Sequence, residues 1–213
     1  MKFDAVIFDL DGTLIDSVML YEKAYLEACE LVGDVVIPKE IFMEKIYCRG
    51  VSLEEALQLF GVNLTEESAI RKARDERYIA LLASEVNWLP GADNVLSTTN
   101  SMVSTGIVTG SWRAYTDAIN KRLPIYNMTR CVVTEDDTNG KRKPDPYSLF
   151  LAAEQLNVAP ERCIYVGDQW FDVEAANAAG MTSCLIPNEI TPTDTKNTAD
   201  VIVANIREVL TLL

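Results

Sequence analysis

Short apolar, β-branched runs recur along the chain at Ala5–Phe8, Gly106–Thr109, Cys131–Thr134, Cys163–Val166, Thr182–Ile186 and Val201–Val203. Runs of this length, apolar at successive positions, suit strands buried on both faces. Between most of them lie segments of helical period, such as Tyr147–Asn157 and Asp172–Ala179, the latter stopped by Gly180. This alternation predicts an α/β fold with a parallel sheet covered by helices on both sides. Sites in such sheets lie beyond the carboxyl ends of the strands. Asp9, Thr109 and Asp168 each fall at such an end.

From Ser17 to about residue 86 the alternation stops. Ser17–Val32, Lys39–Tyr47, Leu53–Phe60 and Glu66–Ser84 carry helical spacing, with no strand pattern among them. Ser52 and Glu55 have the spacing of a capping box for the third helix, whose Leu53, Ala56, Leu57 and Phe60 form one apolar face. The expected organisation is therefore an α/β core of residues 1–16 and 87–213 with a helical insert, 17–86, after the first strand. The insert is expected to stand over the carboxyl edge of the sheet. Trp88-Leu89-Pro90-Gly91 marks the return to the core, and Pro187–Ala199 is expected to be a polar loop.

Hydrophobic residues make up 48% of the 213, enough for a substantial core, which sets disorder aside. The formal charge of −13 argues against a nucleic-acid binder or a binder of anionic membranes. No apolar run reaches the ~20 residues of a membrane span. The strand-like Asp4–Phe8 stands where a secretory leader would lie, so a cytoplasmic protein is expected. The five cysteines are scattered without a C-x-x-C, and they are expected to be reduced and structural. The chain has no histidine, which excludes Ser-His-Asp and Cys-His mechanisms and makes a zinc site a poor fit.

The first strand ends in Asp9 and Asp11, followed by Gly12 and Thr13. Two acids at the end of a buried strand repel each other unless something compensates them, and a divalent cation does so most often. A solvated Asp-Gly turn is the bland alternative. Three further elements follow in order: I-V-T-G-S at Ile107–Ser111, with Ser111 expected as a helix N-cap; K-R-K-P-D-P at Lys141–Pro146; and Y-V-G-D-Q-W-F-D at Tyr165–Asp172. Together with D-L-D-G-T at Asp9–Thr13, this series resembles the haloacid dehalogenase superfamily. Within it, the match is to the phosphatase-like branch with a helical cap after the first motif, on a Rossmann-like sheet core. The resemblance covers nearly the whole chain.

That resemblance implies Mg²⁺-dependent hydrolysis of a small phosphate monoester through an aspartyl-phosphate. Asp9 would be the nucleophile, and Asp11 would protonate the leaving oxygen and then deprotonate water. Gly12 would admit phosphate close to the backbone, and Gly110 and Ser111 would lie against it. Thr109 would donate its hydroxyl to a phosphoryl oxygen, and Lys143 would offset developing charge. Asp168 would ligate Mg²⁺ with the Asp9 carboxylate and the Asp11 carbonyl, while Asp172 orients the shell. Read singly, Thr109 also fits a plain strand end and Lys143 a solvated cation.

Arg49 stands where relatives with this cap place substrate-facing residues, and a solvated arginine is the alternative. Asp16 is expected to cap the first cap helix with Ser17. Trp112 and Trp170 follow two strand ends and either wall the pocket or pack. Gln169 and Trp170 depart from the small polar residue usual after Gly-Asp. Asp11 speaks against the dehalogenase and phosphonatase branches. A β-phosphoglucomutase-like phosphohexomutase is the nearest rival, since R-G-V-S-L-E-E resembles its cap segment. Such mutases carry a histidine in the first cap helix, where Tyr21 stands here. A non-catalytic phosphometabolite-binding regulator is the third reading, but Asp9, Asp11, Lys143 and Asp168 are all retained. The expected partner is a small phosphorylated metabolite, with no nucleic acid or membrane, and the expected state is a monomer.

Overall fold

The computed structural model describes residues 2–43, 51, 53–59 and 67–213. In chain order, β1 (Ala5–Phe8) is followed by α1 (Val18–Gly33), α2 (Lys39–Ile41), α3 (Leu53–Leu59), α4 (Glu67–Glu85) and α5 (Ala92–Met102). Then come β2 (Ser104–Val108), α6 (Arg113–Asn120), α7 (Ile125–Met128), β3 (Cys131–Val133) and α8 (Tyr147–Leu156). The chain finishes with β4 (Cys163–Gly167), α9 (Trp170–Ala178), β5 (Thr182–Leu185), β6 (Val201–Ile202) and a 3₁₀ segment, Ile206–Leu212. These elements form two compact units, Met1–Asp16 with Asn87–Leu213, and Ser17–Val86.

The first unit is built on a six-stranded sheet of order β3-β2-β1-β4-β5-β6, parallel throughout. The most apolar run takes the middle: Ala5, Val6, Ile7 and Phe8 are all buried, as a strand covered on both faces requires. β6, at the edge, has Ile202 exposed. Phe8 pairs with Ile107 on one side and Val166 on the other. This register brings Asp9, Thr109 and Asp168 to the same edge of the sheet, within one residue of level. The Asp9 amide donates to Val166 O at 2.8 Å and the Thr109 amide to Val133 O at 3.0 Å, so the ladder extends to the carboxyl edge of the sheet.

On one face, α8 and α9 pack Leu149, Ala152, Ala153, Leu156, Ala175 and Ala176 against Ile7, Val108, Val133 and Tyr165. The alanines let helix and sheet approach closely, and burying each leucine contributes about 1.5–3 kcal/mol. Trp170 and Phe171 begin α9 earlier than the apolar period alone indicates, because Gln169 and Asp172 make a capping box there. The chain leaves and re-enters this unit through a short ribbon. Ile15 bridges Trp88 in antiparallel sense, the Asp16 amide donates to Asn87 O at 3.0 Å, and the Leu89 amide donates to Leu14 O at 2.9 Å.

The second unit pairs α1 with α4 over a core of Tyr25, Ala28, Cys29, Ile37, Phe42, Leu53, Ala56, Leu57 and Ile70. Arg77 of α4 reaches Glu27 of α1 at 2.5 Å. Buried Arg74 pairs with Asp75 at 2.6 Å and donates to the Tyr21 hydroxyl at 3.3 Å. The N-cap of α1 is Ser17, without a side-chain capping bond, so the expected cap from Asp16 is not formed. Asp16 is exposed and contributes its backbone amide to the ribbon instead. The helix expected over Lys39–Tyr47 is described only at its start, and Ser52 and Phe60 lie outside the described residues. No helix of the described residues is long and apolar enough to cross a membrane.

Candidate active site

Four segments, each leaving or preceding a core element, bring their polar side chains together. Asp9 follows β1, Thr109 follows β2, Lys143 precedes α8, and Asp168 and Asp172 lie at the β4–α9 junction. All five side chains are buried. Lys143 Nζ donates to Asp9 Oδ1 at 2.6 Å, to Asp172 Oδ1 at 2.6 Å and to the Tyr165 hydroxyl at 2.9 Å. An ammonium has three N–H bonds, so these partners account for all of them. Tyr165 in turn donates toward Asp172 Oδ1, 3.1 Å away, or Val108 O, 3.3 Å away.

Asp11 takes a different direction. Its Oδ2 accepts from Thr109 Oγ1 at 3.0 Å and from Ser111 Oγ at 2.8 Å, while the Ser111 amide donates to Thr109 Oγ1. The sequence pattern makes Ser111 the helix N-cap, but Trp112 holds that position before α6. The serine hydroxyl is used on Asp11 instead. Gly12 adopts a φ of 85°, and a Cβ there would lie 2.9 Å from Asp168 Oδ2, so both its conformation and its closeness to Asp168 call for glycine. Gly110, by contrast, has open space where a Cβ would be.

Asp168 is gripped by neutral donors. Thr13 Oγ1 donates to Oδ1 at 3.1 Å, and Gln169 Nε2 and Asn188 Nδ2 both donate to Oδ2 at 2.7 Å. Thr191 Oγ1 donates to the Asp168 carbonyl at 2.7 Å. Gln169, which departs from the small residue expected there, therefore serves both as an Asp168 donor and as the N-cap of α9.

Burial drives the electrostatics. It raises the Asp9 carboxyl well above the ordinary value; Lys143 opposes this, while Asp172, Asp168 and Asp11 add to it. Burial works against the Lys143 charge, yet Asp172 and Asp9 outweigh it and hold the lysine well above its usual value. Burial, then Asp172, pushes Asp168 up to about 6 against the hydrogen bonds from Gln169, Asn188 and Thr13.

Asp9, Asp168 and Asp172 each present a carboxylate oxygen within 4.8 Å of the others. Three buried carboxylates thus face one ammonium, with oxygen donors and no nitrogen or thiolate among them. Excess negative charge in a dry, all-oxygen setting fits a hard divalent cation such as Mg²⁺. The Asp11 side chain is turned to the two hydroxyls and stands outside this group.

The sequence matches the profile of the haloacid dehalogenase-like hydrolases over residues 6–186. The chain belongs to this family. It is 32% identical to a phosphoglycolate phosphatase of Xylella fastidiosa over 183 residues, 84% of this chain and 77% of that protein. It is 30% identical to the β-phosphoglucomutase of Bacillus subtilis over 188 residues, covering 83% and 80%. The crystal structure of CbbY from Rhodobacter sphaeroides in complex with phosphate superposes with a TM-score of 0.82 at 22% identity, covering 97% of this chain and 96% of that one. That likeness establishes the haloacid dehalogenase-like fold.

Other expected residues sort plainly. Trp112 and Trp170 are both substantially exposed at the starts of α6 and α9, so neither is a core residue. Arg49 lies outside the described residues. The sequence pattern alone points to no site role for Thr13, Tyr165, Asn188 or Thr191. Asn188 and Thr191 sit in what reads as a polar loop, and their Asn-x-x-Thr spacing is the one available signal, a common turn pattern. Tyr165 lies inside an apolar strand, where a tyrosine reads as core until its hydroxyl partner is known.

Proposed function

We propose that this haloacid dehalogenase-like phosphatase hydrolyses a small phosphorylated metabolite of the phosphoglycolate or sugar-phosphate class, through a phosphoaspartate on Asp9 and with Mg²⁺ bound. The observation that carries the reading is the buried Asp9 carboxylate, hydrogen-bonded to Lys143 and adjoining Asp168 and Asp172. An Asp9 oxygen attacks phosphorus as the ester oxygen leaves, and Asp11 gives that oxygen its proton. Water then loses a proton to Asp11 and attacks the same phosphorus, which frees inorganic phosphate and restores the Asp9 carboxylate. Thr109 and Ser111, now bonded to Asp11, can turn their hydroxyls to phosphoryl oxygens. Lys143 favours the ionised form of Asp9 and opposes the rise that burial imposes on its carboxyl. Asp9, Asp168 and the Asp11 carbonyl would hold Mg²⁺, with Asp172 orienting Lys143; the ion supplies positive charge against the phosphoryl group.

The net charge of −13 supports a small substrate over a nucleic acid. Similarity to a β-phosphoglucomutase favours a second reading, phosphoryl transfer between sugar hydroxyls. Against it stands Tyr21, packed among Tyr25, Phe42 and Tyr78 and bonded to Arg74, where such mutases place a histidine. A panel of phosphorylated metabolites, assayed for phosphate release with Mg²⁺ and with a chelator, tests the proposal. Phosphate release that stops on chelation is expected. Full turnover after chelation, or bisphosphate-primed conversion of β-glucose 1-phosphate to glucose 6-phosphate as the main activity, would overturn it.

A further inference from the structure

The turn after β5 reaches back to Asp168 through both its side chain and its main chain. Asn188 Nδ2 donates to Asp168 Oδ2 at 2.7 Å, and Thr191 Oγ1 donates to the Asp168 carbonyl at 2.7 Å. The turn is internally locked: the Asn188 amide donates to Thr191 Oγ1 at 2.9 Å, and the Ile190 amide donates to Asn188 Oδ1 at 3.0 Å. With its oxygen end held by Ile190, the Asn188 carboxamide must present its nitrogen to Asp168, which suits an acceptor-only carboxylate.

Asn188 is exposed, whereas Asp168 is 2% exposed. An exposed carboxamide can satisfy itself with water, so the bond answers a need of the buried carboxylate. Gln169 and Asn188 together occupy both lone pairs of Oδ2. Oδ1 accepts from Thr13 and keeps a second lone pair.

We infer that Asn188, locked by Thr191, is a positioning residue that clamps Asp168 Oδ2 and so turns Oδ1 toward the divalent cation. The inference rests on the metal-dependent reading above and extends the metal site to a loop of the chain that no catalytic motif includes. Partners that orient a ligand are worth about 10–100-fold in metal affinity.

The test uses the full chain without substrate, titrated with Mn²⁺ while free Mn²⁺ is followed by electron paramagnetic resonance. Asn188→Leu removes the donor at similar volume, and Thr191→Val unlocks the turn. Both should weaken Mn²⁺ binding about 10–100-fold, the melting midpoint without metal should match wild type, and kcat should recover at saturating Mg²⁺. If Asn188→Leu fails to fold, Asn188→Ser gives the same readout, since serine is too short to reach Oδ2. Wild-type-like Mn²⁺ affinity in the folded variants overturns this inference alone. So does a fall in metal-free melting midpoint that tracks the loss of affinity, because the turn is then only structural. A wild-type chain that binds no Mn²⁺ overturns the metal reading and this inference with it.

Discussion

Lys143 Nζ lies 2.6 Å from Asp9 Oδ1, with both side chains buried. A buried ion pair is held in place by the cost of breaking it. Removing one partner strands the other charge and typically costs about 3–5 kcal/mol. Tyr165→Phe probes this relationship more gently than loss of the lysine. It removes the neutral partner at 2.9 Å and leaves one ammonium N–H unpaired. An unsatisfied buried donor costs about 1–3 kcal/mol, so kcat should fall about tenfold with KM little changed. Lys143→Met should abolish turnover. Steady-state kinetics of both variants check this, and wild-type kcat in Tyr165→Phe would contradict it.

Asp9 and Asp11 differ in their partners, and their variants should differ accordingly. Asp9 faces Lys143, whereas Asp11 Oδ2 faces two hydroxyls. Asp9→Asn should eliminate turnover while substrate still binds. Asp11→Asn should lose about 10²–10⁴-fold on an alkyl phosphate, the usual worth of general acid–base help. The loss should be smaller on p-nitrophenyl phosphate, whose leaving group needs little protonation. With that ester, an adduct on Asp9 should build up in Asp11→Asn, and mass spectrometry of a quenched reaction will find it. An adduct on Asp11 would reverse the assignment.

Acid should weaken the metal site through Asp168. Its carboxyl is pushed up to about 6, above the ordinary value of 3.8. Between these values the folded chain holds a proton that the unfolded chain has lost. The contribution of this group to stability is therefore present at acid pH and lost as pH rises through about 6. Metal binding has the opposite sign, since a protonated carboxyl is a poor ligand. The Mg²⁺ concentration for half-maximal activity should rise steeply as pH drops below about 6. Metal titrations at pH 5.5, 6.5 and 7.5 measure this, and a flat profile would refute it.

Much of this site was readable because strand ends carry their own punctuation. Asp9, Thr109 and Asp168 each terminate an apolar run, and a parallel sheet aligns such ends without further information. The partners of Asp168 were not readable in the same way. Asn188 is twenty residues further on in a turn of ordinary composition, and its role depends on where β5 delivers it. Ser111 departs from its sequence pattern for a related reason. A serine before a helix normally caps it, but here a carboxylate across the sheet edge competes for the same hydroxyl and wins. Sequence periodicity reports what a segment buries, while polar partnerships between segments are fixed by the register of the sheet.

The ribbon joining Ile15 and Asp16 to Asn87 and Trp88 has a consequence for inheritance. It ties the two ends of the intervening segment together within the first unit, so the entropy of closing that loop is met there and grows only slowly with its length. Insertions, deletions and wholesale rewriting between those ends can then accumulate while Asp9, one turn upstream, keeps its place. A lineage carrying this ribbon is free to vary one part of its gene quickly and to hold another nearly still.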